Sequence, residues 1–204
     1  MKVLVVDYGL GNLASVRRAC EREGASVVVS DEAAAVAACQ RLILPGVGNF
    51  REAMLNLRRL GLVEPLQAAA LRGVPLLGIC LGMQLLASEG WEGSQTPAPG
   101  LNLIPGQVIA LTPTQQERIP HAGWNEVHPA RPHPLLEDIE AGKDFYFVHS
   151  FHFKTANNED SLATTPYCGG FSSIVNRRNV VGTQFHPEKS SKIGGCFLKN
   201  FLRW

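Results

Sequence analysis

Short apolar runs at residues 2–6, 26–30, 42–44 and 75–79 alternate with helical patterns through the first half of the chain, and this alternation constrains the fold more than any other feature. Runs of this length, rich in Val, Ile and Leu and bounded by turn residues, predict strands. Between the first two, Leu13, Val16 and Cys20 recur at helical spacing from Asn12 to Glu23, and Gly24 ends the pattern. Asp31 is expected to cap a helix through Ala38, and one helical stretch is expected from about Phe50 to Arg72. Strands separated by helices must run parallel, with the helices covering both faces of the sheet. Ligands of such sheets bind at the carboxyl ends of the strands.

From Gly93 the texture changes. Prolines at positions 97, 99, 105, 113, 120, 129, 132 and 134 punctuate short strand-like runs such as 107–111, which predicts antiparallel structure and long loops. Runs at 145–149, 172–176 and 180–184 predict further strands, and Ser191–Arg203 predicts a closing helix despite Gly194 and Gly195. One mixed, mostly parallel α/β domain over residues 1–204 accommodates the whole pattern. A chain of this size buries roughly 70% of its unfolded surface and needs no disulfide or metal to hold a core. The five cysteines are an odd number without a CxxC pair, so neither a disulfide framework nor a zinc ribbon is expected.

With 19 Lys and Arg against 18 Asp and Glu, the chain has no general field to attract nucleic acid or anionic lipid. The least polar stretch, residues 74–87, is interrupted by Pro75, Gly78 and Gly82 and is too short to span a bilayer. The first apolar run ends at Asp7 without a small-residue cleavage site, the pattern of a strand in a cytoplasmic protein.

The fourth run leads into Gly78-Ile79-Cys80-Leu81-Gly82. G-x-C-x-G between a strand and a helical pattern has the form of a nucleophile elbow, where small flanking residues permit a strained turn that lifts the central side chain off the sheet. A thiol at a helix amino terminus is also expected to ionise more readily. Near the other end lies Gln184-Phe185-His186-Pro187-Glu188. In extended backbone His186 and Glu188 project to one side, as a general base and the carboxylate that orients it. Taken singly, Cys80 reads as a packed core residue, His186 as a histidine in a proline turn and Glu188 as a solvated charge. Those readings fit the three together poorly.

Acyl transfer by Cys80 needs donors for an oxyanion. The Leu81 N–H is one, and Gly46-Val47-Gly48, directly after the third strand, is placed to supply another through Val47 or Gly48. Flanking glycines let the Val47 peptide rotate, so this donor can be switchable; the alternative is a plain strand-to-helix turn after Pro45. Gly9-Leu10-Gly11-Asn12 lacks the third glycine of a dinucleotide fingerprint and reads as a tight turn. His149 and His152, three apart, would face opposite sides of one strand, and His121, His128 and His133 fall in proline-rich loops, so no metal site is expected.

Gly78-Ile79-Cys80-Leu81-Gly82-Met83-Gln84 together with Phe185-His186-Pro187-Glu188 resembles the class I (triad) glutamine amidotransferases, which have a flavodoxin-like fold. Within that family, Asp7 to Leu13, Pro45 to Phe50, Pro120 to Asn125, Tyr146 to Ser150 and His186 to Ser190 resemble the glutaminase subunits of imidazole glycerol phosphate synthase, and the match runs the length of the chain. Relatives that make anthranilate or GMP usually carry Pro-Gly-Gly-Pro where this chain has Pro45-Gly46-Val47-Gly48. The resemblance implies that Cys80 forms a glutamyl thioester and that His186 protonates the leaving ammonia and then activates water. Ammonia would pass to a (β/α)8-barrel cyclase subunit in a heterodimer, without any cofactor. It further implies a glutamine pocket of Gln84, His149, Ser150 and Phe151, with Glu92 on the substrate ammonium and Glu89 as the competing choice. Asn12, Trp124 and Lys189 would meet the cyclase, and glutaminase activity would stay low until the cyclase binds its ligand. The chain departs from the family at Ala122, where Met is usual, at Phe151, where Tyr is common, and at Arg177-Arg178-Asn179, where a Gly-Asn turn is more usual.

Overall fold

The computed structural model describes residues 1–93 and 95–204. The first half runs β1 (Lys2–Val6), α1 (Leu13–Arg22), β2 (Ser26–Ser30), α2 (Ala33–Ala38), β3 (Leu42–Gly46), α3 (Phe50–Arg59), α4 (Val63–Leu71), β4 (Leu76–Cys80) and the single turn α5 (Leu81–Gln84). The second half runs β5 (Glu89–Gly90), β6 (Ala98–Pro99), β7 (Gly106–Ala110), β8 (His121–Pro129), β9 (Lys143–His149), β10 (Phe151–Thr155), β11 (Ser161–Thr165), β12 (Phe171–Arg177), β13 (Val180–Thr183) and α6 (Ser191–Arg203).

A nine-stranded sheet has the order β2-β1-β3-β4-β13-β12-β11-β8-β9. Its first five strands are parallel and the remainder antiparallel. Successive side chains of a strand face opposite ways, and here both faces are covered. Val3, Val5, Ile43 and Leu77 pack with α1 and α6, whereas Leu4, Val6, Leu42 and Leu44 pack with α2, α3 and α4. That two-sided burial is why these strands read as continuous apolar runs. A second sheet, β10-β7-β5-β6, meets the first through β12 and touches α3 and α5. No helix among the described residues is long and apolar enough to cross a membrane.

Three local expectations change. Helix α2 begins at Ala33 with Glu32 at its cap, and the Glu32 N–H donates to Ser30 Oγ at 3.1 Å, so Asp31 lies one position too early to serve as the cap. The stretch from Phe50 to Arg72 is two helices, because Gly61 takes φ +64° and Leu62 N–H donates back to Leu57 O at 2.9 Å, a helix-ending arrangement. Pro65 then sits in the first turn of α4, where its missing N–H costs no helical bond. Finally, His121 and His128 lie on a long strand rather than in loops, since Pro120 precedes β8 and Pro129 ends it. His149 ends β9 and His152 belongs to β10, so their spacing is not that of a single strand.

Candidate active site at the carboxyl edge of the sheet

Cys80 is the last residue of β4 and takes φ 54° and ψ −108°, a conformation that costs a residue with a Cβ free energy. The flanking glycines explain how it is held. A Cβ on Gly82 would strike the Leu44 carbonyl oxygen, and one on Gly78 would lie 2.7 Å from Met83 N. The turn after Cys80 therefore packs directly on β3 and β4, and only glycine fits at either end. Cys80 stands at a helix amino terminus as expected from the sequence, but only one helical turn follows, which limits the dipole that turn supplies. The thiol lies 3.9 Å from Val148 O and receives Gln184 Nε2 at 3.8 Å.

His186 comes to the same cavity from the segment after β13. Phe185 stacks on Phe145 at 4.1 Å and meets Phe197 edge-on at 5.7 Å, anchoring the backbone one residue earlier. His186 N–H donates to Tyr146 O at 2.9 Å, and its carbonyl accepts from Ser190 Oγ at 2.6 Å. His186 Nδ1 lies 2.8 Å from Glu188 Oε1. The pair meets through a 3-10 turn over Pro187–Lys189, not through the extended backbone expected from the sequence. Both side chains are only 1% exposed. Burial disfavours the imidazolium, but the charge of Cys80, with the hydrogen bond and charge of Glu188, more than offsets it and holds the His186 pKa above the ordinary value.

A cavity of about 220 Å³ opens over this pair. It is lined by Cys80, Leu81, His186, Val47, Gly48, Gln84, Glu92, Val148, His149, Ser150 and Phe151, bringing every residue assigned from the sequence to oxyanion binding and the substrate pocket together with Cys80 and His186, while Glu188 meets His186 without lining the cavity. Gly46 pairs with Cys80 across β3 and β4, so the Val47–Gly48 turn emerges beside the sulfur. Gly48 has φ +109° and Val47 is 40% exposed. Glu92 Oε2 accepts from Phe50 N–H at 2.7 Å, and burial raises its pKa. Glu89 instead accepts from Gln107 Nε2 at 2.8 Å and does not line the cavity. Gln84 Nε2 donates to Phe151 O at 2.9 Å and lies 3.1 Å from Gln184 Oε1.

Outside the mouth, Trp124 is 51% exposed, meets Tyr146 edge-on at 6.1 Å, and Lys189 Nζ lies 5.8 Å from the same Tyr146 ring. These side chains form one aromatic and cationic patch. Asn12 caps α1, accepting from Ser15 N–H at 3.3 Å. Two buried residues were missed in the sequence. Gln184 stands two positions before His186, the spacing that could have revealed it. Tyr8 is packed against Gly46, and burial, with a smaller effect of Cys80, pushes its phenol pKa up.

A buried histidine held by a carboxylate beside a cysteine on a strained turn is an acyl-transfer arrangement. The comparisons with known proteins agree with that chemistry. The family described as Glutamine amidotransferase class-I matches residues 4–203. The chain is 47% identical to imidazole glycerol phosphate synthase subunit HisH of Moorella thermoacetica, over 98% of this chain and 93% of that protein. It is also 47% identical to subunit HisH 1 of Prochlorococcus marinus, over 98% of this chain and 96% of the relative. A crystal structure of a glutamine amidotransferase superposes with a TM-score of 0.74 at 18% identity, covering 97% of this chain and 98% of the other, so the fold is shared where little sequence is. Elbow, histidine, carboxylate and fold thus sit in one matched span, and the chain belongs to the class-I glutamine amidotransferase family.

Proposed function

We propose that this chain is the glutaminase subunit of an imidazole glycerol phosphate synthase. The observation that carries the reading is the Cys80–His186–Glu188 constellation opening into a cavity beside the exposed Trp124–Tyr146–Lys189 patch. Glutamine enters with its α-ammonium toward Glu92 and its side-chain amide over Cys80, held by Gln84 and the His149-Ser150-Phe151 segment. The thiolate attacks the amide carbon, and the resulting oxyanion takes N–H bonds from Leu81 and from Val47 or Gly48 once that turn is suitably oriented. His186 donates its proton to the departing nitrogen, leaving a glutamyl thioester and ammonia. Water then gives a proton to His186 and attacks the thioester, releasing glutamate and restoring the thiol. Glu188 keeps Nδ1 protonated and the ring aimed at the sulfur throughout.

The partner is a (β/α)8-barrel cyclase subunit, docked as a heterodimer on Asn12, Trp124 and Lys189. It combines the ammonia with a ribulosyl aminoimidazole nucleotide to give imidazole glycerol phosphate and AICAR. Ligand binding on the cyclase turns the Val47 peptide, which keeps glutaminase activity low in its absence. Glutamate release is measured with the chain alone, with the cyclase, and with the cyclase and its nucleotide ligand. A large rise in the complete mixture is expected. Equal release in all three mixtures overturns the coupled-subunit reading, and no release in any overturns the glutaminase reading.

A further inference from the structure

Behind the pocket, a line of hydrogen bonds connects β8 to the backbone of the substrate segment. Asn125 Oδ1 accepts from Glu126 N–H at 2.9 Å, which turns the amide Nδ2 toward His121 Nε2 at 3.1 Å. At the other end, His149 Nδ1 lies 2.8 Å from Phe151 O. A carbonyl only accepts, so His149 Nδ1 carries hydrogen and its Nε2 is the acceptor. His121 Nδ1, 3.0 Å from that Nε2, must then donate, leaving His121 Nε2 free to accept from Asn125. One assignment of tautomers satisfies every contact with both rings neutral. Burial supports neutrality by lowering the pKa of His121 to about 4 and that of His149 to about 3.

The His121 ring is also held in place, stacked on Tyr167 at 3.9 Å and on Phe147 at 4.9 Å. At the pocket end, the Phe151 carbonyl that receives His149 also receives Gln84, and Gln84 meets Gln184, whose amide approaches the Cys80 sulfur at 3.8 Å. At the outer end, Asn125 follows Trp124 on the same strand. The line therefore joins the exposed patch to the glutamine pocket without passing through the triad.

We propose that His121 is a positioning residue that fixes the His149–Phe151 turn, and through it the Gln84 amide, and ties that geometry to the Trp124–Asn125 segment at the partner-facing surface. The proposal rests on the glutaminase reading above for its effect on glutamine, whereas its tautomer pattern does not. His121→Phe removes both hydrogen bonds and keeps a ring for Tyr167 and Phe147. His121→Asn places an amide nitrogen near the position of Nδ1, restoring the donor to His149 while losing the acceptor for Asn125.

In the complete complex, His121→Phe is expected to raise the KM for glutamine about tenfold, the effect of losing the hydrogen bond that reaches His149, with kcat changed less than about threefold. His121→Asn is expected to recover the KM but to show a smaller stimulation by the ligand-bound cyclase than the parent. The same KM for His121→Phe as for the parent overturns the proposal, as does a loss confined to kcat. Nitrogen-15 NMR of the unsubstituted chain supplies a readout that needs neither activity nor a folded variant. Both His121 and His149 are expected as Nδ1–H tautomers, and an Nε2–H tautomer at either overturns the line. Absence of glutamate release by the parent complex together with the expected tautomers overturns the functional reading and the claimed effect on glutamine, while leaving the hydrogen-bond assignment standing.

Discussion

At Cys80 the backbone and the side chain serve one purpose. A left-handed φ of 54° costs about 1–2 kcal/mol for a residue with a Cβ, and the packing of Gly78 and Gly82 against β3 and β4 offsets it. The chemistry then divides between residues with separable consequences. Cys80→Ala removes the nucleophile and is expected to abolish glutamine-dependent synthesis in the cyclase complex while ammonia-dependent synthesis survives; an assay with each nitrogen source checks this, and loss of both would sink the proposed division of labour. Glu188→Gln keeps the shape of the partner at 2.8 Å from His186 but removes the charge that favours the imidazolium. It is expected to lower kcat by on the order of 10²–10⁴ with little change in KM, because orientation and charge of the base matter in the transition state more than in substrate binding. Steady-state glutaminase kinetics separate the two constants.

Between elements, the break from α3 to α4 offers a clean measure of backbone preference. A Cβ on Gly61 would meet nothing within 4 Å, so the cost of Gly61→Ala is that of φ +64° alone. About 1–2 kcal/mol of destabilisation is expected, with thermal unfolding about 2–8 °C lower and glutaminase kinetics unchanged. Gly61 and Pro65 were visible in the sequence as an ending and a beginning, yet the apolar spacing through Leu57, Leu60 and Leu66 reads as one helix. Strands β1, β3 and β4 were legible for the opposite reason, since burial on both faces leaves an unbroken apolar run, and the half-exposed edge strand β2 was legible from its run of three valines. Strand β8 was not, because its mixture of buried His121 and Val127 with exposed Trp124 carries no strong alternation, and pairing with β9 is what defines it. Within the site, Cys80 and His186 announced themselves by local motifs. Gln184 and His121 did not, since their roles arise from contacts with Gln84 and His149, 100 and 28 positions away in the chain.

Across the whole molecule, the buried histidines oppose one another in their effect on stability. His121 and His149 are neutral in the folded state, with pKa values of about 4 and about 3 against 6.5 for a free imidazole. The unfolded chain takes up protons first, so the stability linked to these two is fully present above pH 6.5 and is lost as pH falls from there toward 4 and then 3. His186 has the opposite sign. Its folded pKa lies above 6.5, so its contribution is fully present below that pH and is lost as pH rises through the folded value. Thermal unfolding of the isolated chain is therefore expected at its highest temperature near pH 6 to 7, with slopes of different origin on the two sides. His121→Phe, which cannot titrate, should flatten the acid side and leave the alkaline side unchanged; His186→Asn should do the reverse. A melting series from pH 4 to pH 9 on the three proteins checks this, and an acid side unchanged by His121→Phe would place the sensitivity elsewhere than in the buried imidazoles behind the pocket. The same sign pattern has a functional consequence, because near neutral pH the line from Asn125 to Phe151 stays uncharged while the histidine beside Cys80 keeps its proton. The fold thus holds its buried histidines in opposite protonation states, His121 and His149 neutral and His186 protonated.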